Sequence, residues 1–230
     1  MRVILFLLFF LVSCRHRNDH ATEKGYHFAN NQPVKEYESV LQEIAIKRKE
    51  FSKQSSSGQT ETIPVAWKNF WIEKISIDLY NAWEGTPWDF NGHTRYPQQG
   101  SIACGYFVTT MLCDMGMHID RVKLSTCASM QMMKTVCPDQ KIQNLGRMGA
   151  EEMNNYLNTK GNAVYIAGLD FHTGIIVTDD TGNWFIHSDY IRRRGVVKER
   201  IQESLALRAS KTIWIVPLTE SKVAMRNWLR

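Results

Sequence analysis

The stretch "QQGSIACGYFVTTMLCDMG", residues 98–116, decides how the chain is read. Phe107, Val108, Met111, Leu112 and Met115 recur at helical spacing, and Gly116 stops the run. Ser101 is read as the N-cap, which puts Cys104 in the first turn. Two readings of that cysteine stay open. Free Cys is among the most often buried residue types, so it can be a small core filler. It can also be a nucleophilic thiolate, since the positive end of a helix dipole lowers a thiol pKa. In the second reading Gly105 leaves room for an incoming carbonyl, and the Cys104 backbone N–H belongs to an oxyanion hole.

A thiolate used for acyl transfer needs a base. His118 lies in the turn just after the cysteine's own helix. "DFHTGIIVTDD" puts His172 at the start of a strand, and "NWFIHSDY" puts His187 at the end of the next. "DDTGN" (179–183) is a hairpin turn between them. The start of one hairpin strand lies beside the end of its partner, so the spacing predicts that the two histidines are neighbours. Strand alternation puts His187 and Asp189 on one face and Ser188 on the other. Asp189 is therefore the alternative third residue, or else it serves the Arg-rich turn and pairs with Arg192.

Outward from this constellation, Val40, Leu41, Ile44 and Phe51 keep one helical face. "SKQSSSGQTET" breaks it as a flexible linker. Trp67, Phe70, Trp71, Ile75, Leu79, Ala82 and Trp83 form a second apolar stripe, read as core. Two short helices are expected over 125–136 and 147–158. The runs "AVYIAG", "TGIIVT", "NWFIHS" and "KTIWIVPL" then read as strands. Helices first and antiparallel strands later define an α+β domain.

The 230 residues, 43% hydrophobic with seven tryptophans, promise a sizeable core. A formal charge of +5 is mild and scattered, which argues against nucleic-acid binding. Arg192, Arg193 and Arg194 read as a solvated turn. Cys113, Cys127 and Cys137, with Cys104, lack the close pairs of a structural zinc site, so neither metal nor cofactor is expected.

At the N-terminus, Met1-Arg2 precedes ten apolar residues, Val3 to Val12, too few to span a bilayer as a helix. The run fits a secretory signal, and Leu11-Val12-Ser13-Cys14 resembles the lipobox of bacterial lipoproteins. That resemblance implies cleavage before Cys14, lipidation of Cys14 and attachment to a membrane in the cell envelope, on its periplasmic side or at the cell surface. The expected organisation is signal peptide 1–13, polar tether 14–32, helix and linker 33–60, and a globular domain 61–230.

"GTPWDFNG", "ACGYFVTTMLCDMG", "HTGIIV" and "FIH" together resemble the NlpC-like cell-wall cysteine peptidases of the papain-like superfamily. The likeness spans roughly residues 64–190. It implies Cys104 as nucleophile, His172 as base and His187 as the orienting third residue. Gln98 and Gln99 also match the papain pattern, which implies Gln98 as an oxyanion donor. In this chain Ala103 stands where the family usually has Asp, no Ser separates Cys104 from Gly105, and Trp88 replaces a usual Tyr. The implied activity is amide hydrolysis of murein peptides through a thioester. A non-catalytic envelope module on the same fold, or an acyltransferase using the same Cys-His pair, are the alternatives.

Overall fold

The computed structural model describes residues 32–56 and 63–230. The expected signal peptide, Cys14, the expected tether up to residue 31 and residues 57–62 of the expected linker lie outside them. Helix α1 (Gln32–Ser56) is followed by α2 (Val65–Glu73), a π-helical turn (Lys74–Leu79) and α3 (Tyr80–Trp83), which continue one another. Then come α4 (Cys104–Asp114), α5 (Arg121–Ser125), α6 (Ser129–Val136) and α7 (Ala150–Asn158). Two more helices, α8 (Leu205–Ala209) and α9 (Lys222–Trp228), close the chain.

The strands are β1 (Gln143–Asn144), β2 (Ala163–Leu169), β3 (Thr173–Asp179), β4 (Gly182–Asp189), β5 (Gly195–Arg200) and β6 (Ile213–Pro217). They form one six-stranded antiparallel sheet in the order β1-β6-β2-β3-β4-β5. The α+β class and the antiparallel sheet are those expected from the sequence. Asp179 closes the β3–β4 hairpin by accepting from the backbone N–H of Thr181 and Gly182.

Helices cover both faces of the sheet, which is why β2 is buried along its whole length. One face carries Val164, Ile166, Ile175, Val177 and Ile186 against the large core of α1, α2 and α4. The opposite face carries Tyr165, Ile176, Phe185 and Ile215 against α7 and α8. In the larger core Trp228 is ringed by Phe51, Trp67, Phe70 and Trp71, with centroids 5.5–6.3 Å away. Aromatic contacts of this kind contribute beyond their buried area.

Two expectations are corrected here. Helix α1 is not a separate appendage to a domain starting at residue 61. Tyr37, Ile44 and Phe51 are buried in the same core, and residues 31–230 form one compact unit. The helix also runs on to Ser56, because nothing in "SKQSS" forbids helix once Phe51 is anchored. The second correction concerns the start of α4. Its N-cap is Ala103 rather than Ser101. Ile102 forms a β-bridge with His93, and the Ser101 carbonyl accepts from the Thr94 N–H, so Ser101 is held extended.

Candidate active site

Cys104 is the first residue of α4, and the Ala103 side chain cannot cap that end. The entry is instead fixed by backbone. Ile102 N–H donates to Pro87 O at 2.8 Å, and Ala103 N–H donates to Gly92 O at 2.8 Å. Ser188 of β4 adds a buried hydroxyl bond, 2.7 Å, to Ile102 O. Thr86 of the "GTPW" loop is buried and pairs with Val196 at the start of β5. The loop therefore holds the cysteine's approach strand against the sheet.

The Cys104 thiol is half-buried. Burial pushes its pKa up, and the backbone N–H groups of Thr173, Gly105 and Cys104 itself pull it down without overcoming that. Burial thus opposes the thiolate expected at the helix start. The helix terminus does act on the sulfur, but desolvation of the anion outweighs it.

Gly105 also has a different reason from the one expected. A Cβ there would fall 2.2 Å from the Ser125 backbone carbonyl oxygen, so the glycine lets the end of α5 approach α4.

His172 and His187 come together as the hairpin register demands. His172 Nε2 and His187 Nδ1 are 2.9 Å apart in a buried contact. Gly174 makes room for this: a Cβ there would meet the Phe185 ring at 2.5 Å and His187 Cβ at 3.0 Å. The Phe185 ring stacks on the His187 ring at 4.4 Å, fixing its plane.

His172 is held well below its usual 6.5 by burial and then by His187, with Glu199 only partly offsetting them. Its Nδ1 is buried and has no hydrogen-bond partner, so no hydrogen bond joins it to Cys104. What links the two residues is their surroundings. The thiol sits at the amide of Thr173, the next residue along, and the Tyr190 ring lies 4.8 Å from the His172 ring. Burial and then the charge of Cys104 raise the Tyr190 phenol.

The remaining sequence candidates go elsewhere. Gln98 is exposed; its side-chain amide donates to Glu84 O at 3.3 Å and its N–H to Thr86 Oγ1 at 2.9 Å. Both of these bonds serve the loop. Asp189 is buried, and none of its hydrogen bonds is to either histidine. Its Oδ1 accepts from the backbone N–H of Ile191 and Arg192, and its Oδ2 accepts from Arg194 Nε at 2.6 Å. The ion pair is with Arg194, not Arg192, so Arg194 is no free member of a solvated turn. His118 lies at the other end of α4, bonded through its backbone to Asn227.

Sequence reasoning missed Glu199 and Tyr190. Glu199 Oε1 lies 3.2 Å from His187 Nε2, and Arg194 Nη2 donates to its Oε2. Burial alone would raise its pKa. Hydrogen bonds from His187, Arg194 and Ser204 outweigh that and hold the carboxyl at about 2. Cys113, Cys127 and Cys137 are free thiols, and Cys137 is pushed up to about 12 by burial.

The buried acid–base pair makes stability pH-dependent. Unfolded His172 takes up a proton near 6.5 and folded His172 only far lower, so its contribution to stability falls as pH drops below 6.5. Glu199 adds a further loss between its ordinary 4.5 and about 2. Asp114, held up at about 7 chiefly by burial, works in the opposite direction. The clean measurement is therefore the difference between wild type and His172→Gln at each pH. Urea unfolding should show that difference moving in the variant's favour below pH 6.5. A difference independent of pH would mean that His172 titrates normally in the fold.

The chain is thus a mixed α+β protein with a candidate Cys-His-His cluster at a helix start and a hairpin end. Compared with known proteins, it matches no family model, no curated sequence and no solved structure.

Proposed function

We propose that this protein is a papain-like cysteine amidase or peptidase, with Cys104 as nucleophile, His172 as base and His187 as the residue that orients it. The observation that carries the reading is the buried 2.9 Å His172–His187 contact beside a cysteine that opens a helix. With the thiol raised and the imidazole lowered, the resting pair is neutral. Attack and proton transfer are then concerted: sulfur bonds to the amide carbonyl carbon as His172 Nδ1 takes the thiol proton. The protonated His172 gives that proton to the departing amine, leaving a thioester. Water, activated by His172, hydrolyses the thioester and restores the thiol. The Cys104 N–H remains the oxyanion donor in this scheme, since no side chain caps the helix end.

Murein peptides are the proposed substrate class, supported by the resemblance of the "GTPW", "ACGYFV" and "HTGIIV" segments to the NlpC-like enzymes. A lipidated Cys14 would hold the domain at the cell envelope. No described helix is long and apolar enough to cross a membrane. The alternative of a non-catalytic envelope module draws support from the absent Cys104–His172 hydrogen bond and from Ala103. Digestion of purified murein decides between them. Wild type should release fragments, visible by mass, that Cys104→Ala does not. Identical digests for the two proteins would remove Cys104 from the chemistry, and no release by either would favour the binding module.

A further inference from the structure

The hydrogen-bond chain His172–His187–Glu199–Arg194 contains information about where protons sit. An ionised carboxylate can only accept hydrogen bonds. Glu199 is held in that form at about 2, and its Oε2 accepts from Arg194 Nη2. Across its Oε1, at 3.2 Å, His187 Nε2 must therefore carry a proton. A neutral imidazole has one N–H, so His187 Nδ1 presents a lone pair. The 2.9 Å contact from that nitrogen to His172 Nε2 is a hydrogen bond only if His172 is protonated on Nε2. His172 Nδ1 is then left with a lone pair, and it is one of two buried ring nitrogens without a partner among the described residues, the other being Trp71 Nε1.

Without Glu199 the same two rings satisfy each other equally well in reverse. His187 Nδ1–H would donate to His172 Nε2, and the His172 proton would sit on Nδ1. In that arrangement the nitrogen left over for chemistry is already protonated and cannot act as a base.

We propose that Glu199 is a positioning residue that sets the tautomers of both histidines and so makes His172 Nδ1 the basic atom of the site. Arg194 holds the carboxylate from its outer side and is itself held by Asp189, 2.6 Å from Nε. Ser204, whose Oγ accepts the Leu207 N–H, supplies a further hydroxyl to Glu199. The groups facing the chain are Tyr190 and Cys104 beside His172, and Arg194 and Asp189 beyond Glu199. The catalytic consequence rests on the amidase reading above, whereas the tautomer assignment stands without it.

Glu199→Gln tests the assignment because it changes charge but little else. A Gln side chain that keeps its oxygen on Arg194 turns its NH₂ towards His187 Nε2, which must then accept. The whole chain of protons reverses. Long-range proton–nitrogen spectra of full-chain protein labelled in the histidine rings, near neutral pH, read which nitrogen carries hydrogen. Wild type should show both His172 and His187 protonated on Nε2, and E199Q should show both protonated on Nδ1. In parallel, alkylation of Cys104 by iodoacetamide should slow at least tenfold in E199Q, with circular dichroism unchanged. A wild-type His172 proton on Nδ1, a doubly protonated His187, or tautomers unaltered by E199Q would each overturn the proposal. The wild-type spectrum suffices for the first two even if E199Q does not fold. Reversed tautomers with unchanged alkylation would uphold the role of Glu199 and instead break the link between the histidines and Cys104.

Discussion

His172→Gln should lower kcat/KM on a cleaved murein peptide by on the order of 10²–10⁴, the range typical of a lost general base. The expectation follows from a neutral resting pair. Because the thiol is raised and has no preformed ion pair with His172, attack depends on proton removal as the bond forms. Glutamine keeps much of the ring's bulk and removes the base. His187→Ala, which removes the 2.9 Å partner but not the base, should cost less, at least tenfold, or about 1.4 kcal/mol of transition-state stabilisation. Asp189→Ala should cost less again, since Asp189 reaches the histidines only through Arg194 and Glu199. Initial rates on one purified peptide fragment, with folding checked by circular dichroism, give the ranking. Wild-type rates for His172→Gln would eliminate the proposed base.

Gly105→Ala should lower the melting temperature by roughly 10 °C. The new Cβ would lie 2.2 Å from Ser125 O, 3.1 Å from its carbonyl carbon and 3.3 Å from its Cα. All three are backbone atoms, so no side chain can rotate away and α4 and α5 must separate. Overpacking of this kind costs about 3 kcal/mol, at the upper end of the usual range. Thermal unfolding distinguishes this from the role the sequence alone suggests. If Gly105 served only to admit a substrate carbonyl, Gly105→Ala would melt like wild type and lose only activity.

How far the site can be read from sequence depends on which residues carry it. The meeting of His172 and His187 is legible because β3 and β4 alternate cleanly and the "DDTGN" turn fixes their register. Strand β5 is not legible. "GVVKER" carries three successive charges and looks like a solvated segment. In the fold Lys198 and Arg200 stack on the Trp184 ring at 4.7 and 3.8 Å, while Glu199 between them turns inward to His187. A strand whose outward face is charge laid on an aromatic from its neighbour has no apolar alternation to detect. The helix start at Ala103 was hidden for a similar reason. Ser101 has the chemistry of a cap, and only the pairing of Ile102 with His93, a contact made after folding, takes it out of that role. The π-helical turn within the Trp67–Trp83 stripe leaves no sequence trace, since its apolar positions still read as a single helical face.

Helix α1 has a mechanical consequence. Tyr37 Oη donates to Asp114 Oδ2 at 2.6 Å, and Arg48 Nη1 donates to Gly116 O, so α1 is fastened around the C-terminal end of α4. Cys104 is at the other end, about 16 Å along an 11-residue helix. A pull on the chain ahead of α1 is therefore delivered to the Asp114–Gly116 corner. The load then runs into the Trp228 cluster, because Phe51 of α1 rests on that ring. A pull from the N-terminal side would thus load the end of α4 away from the candidate Cys-His-His cluster.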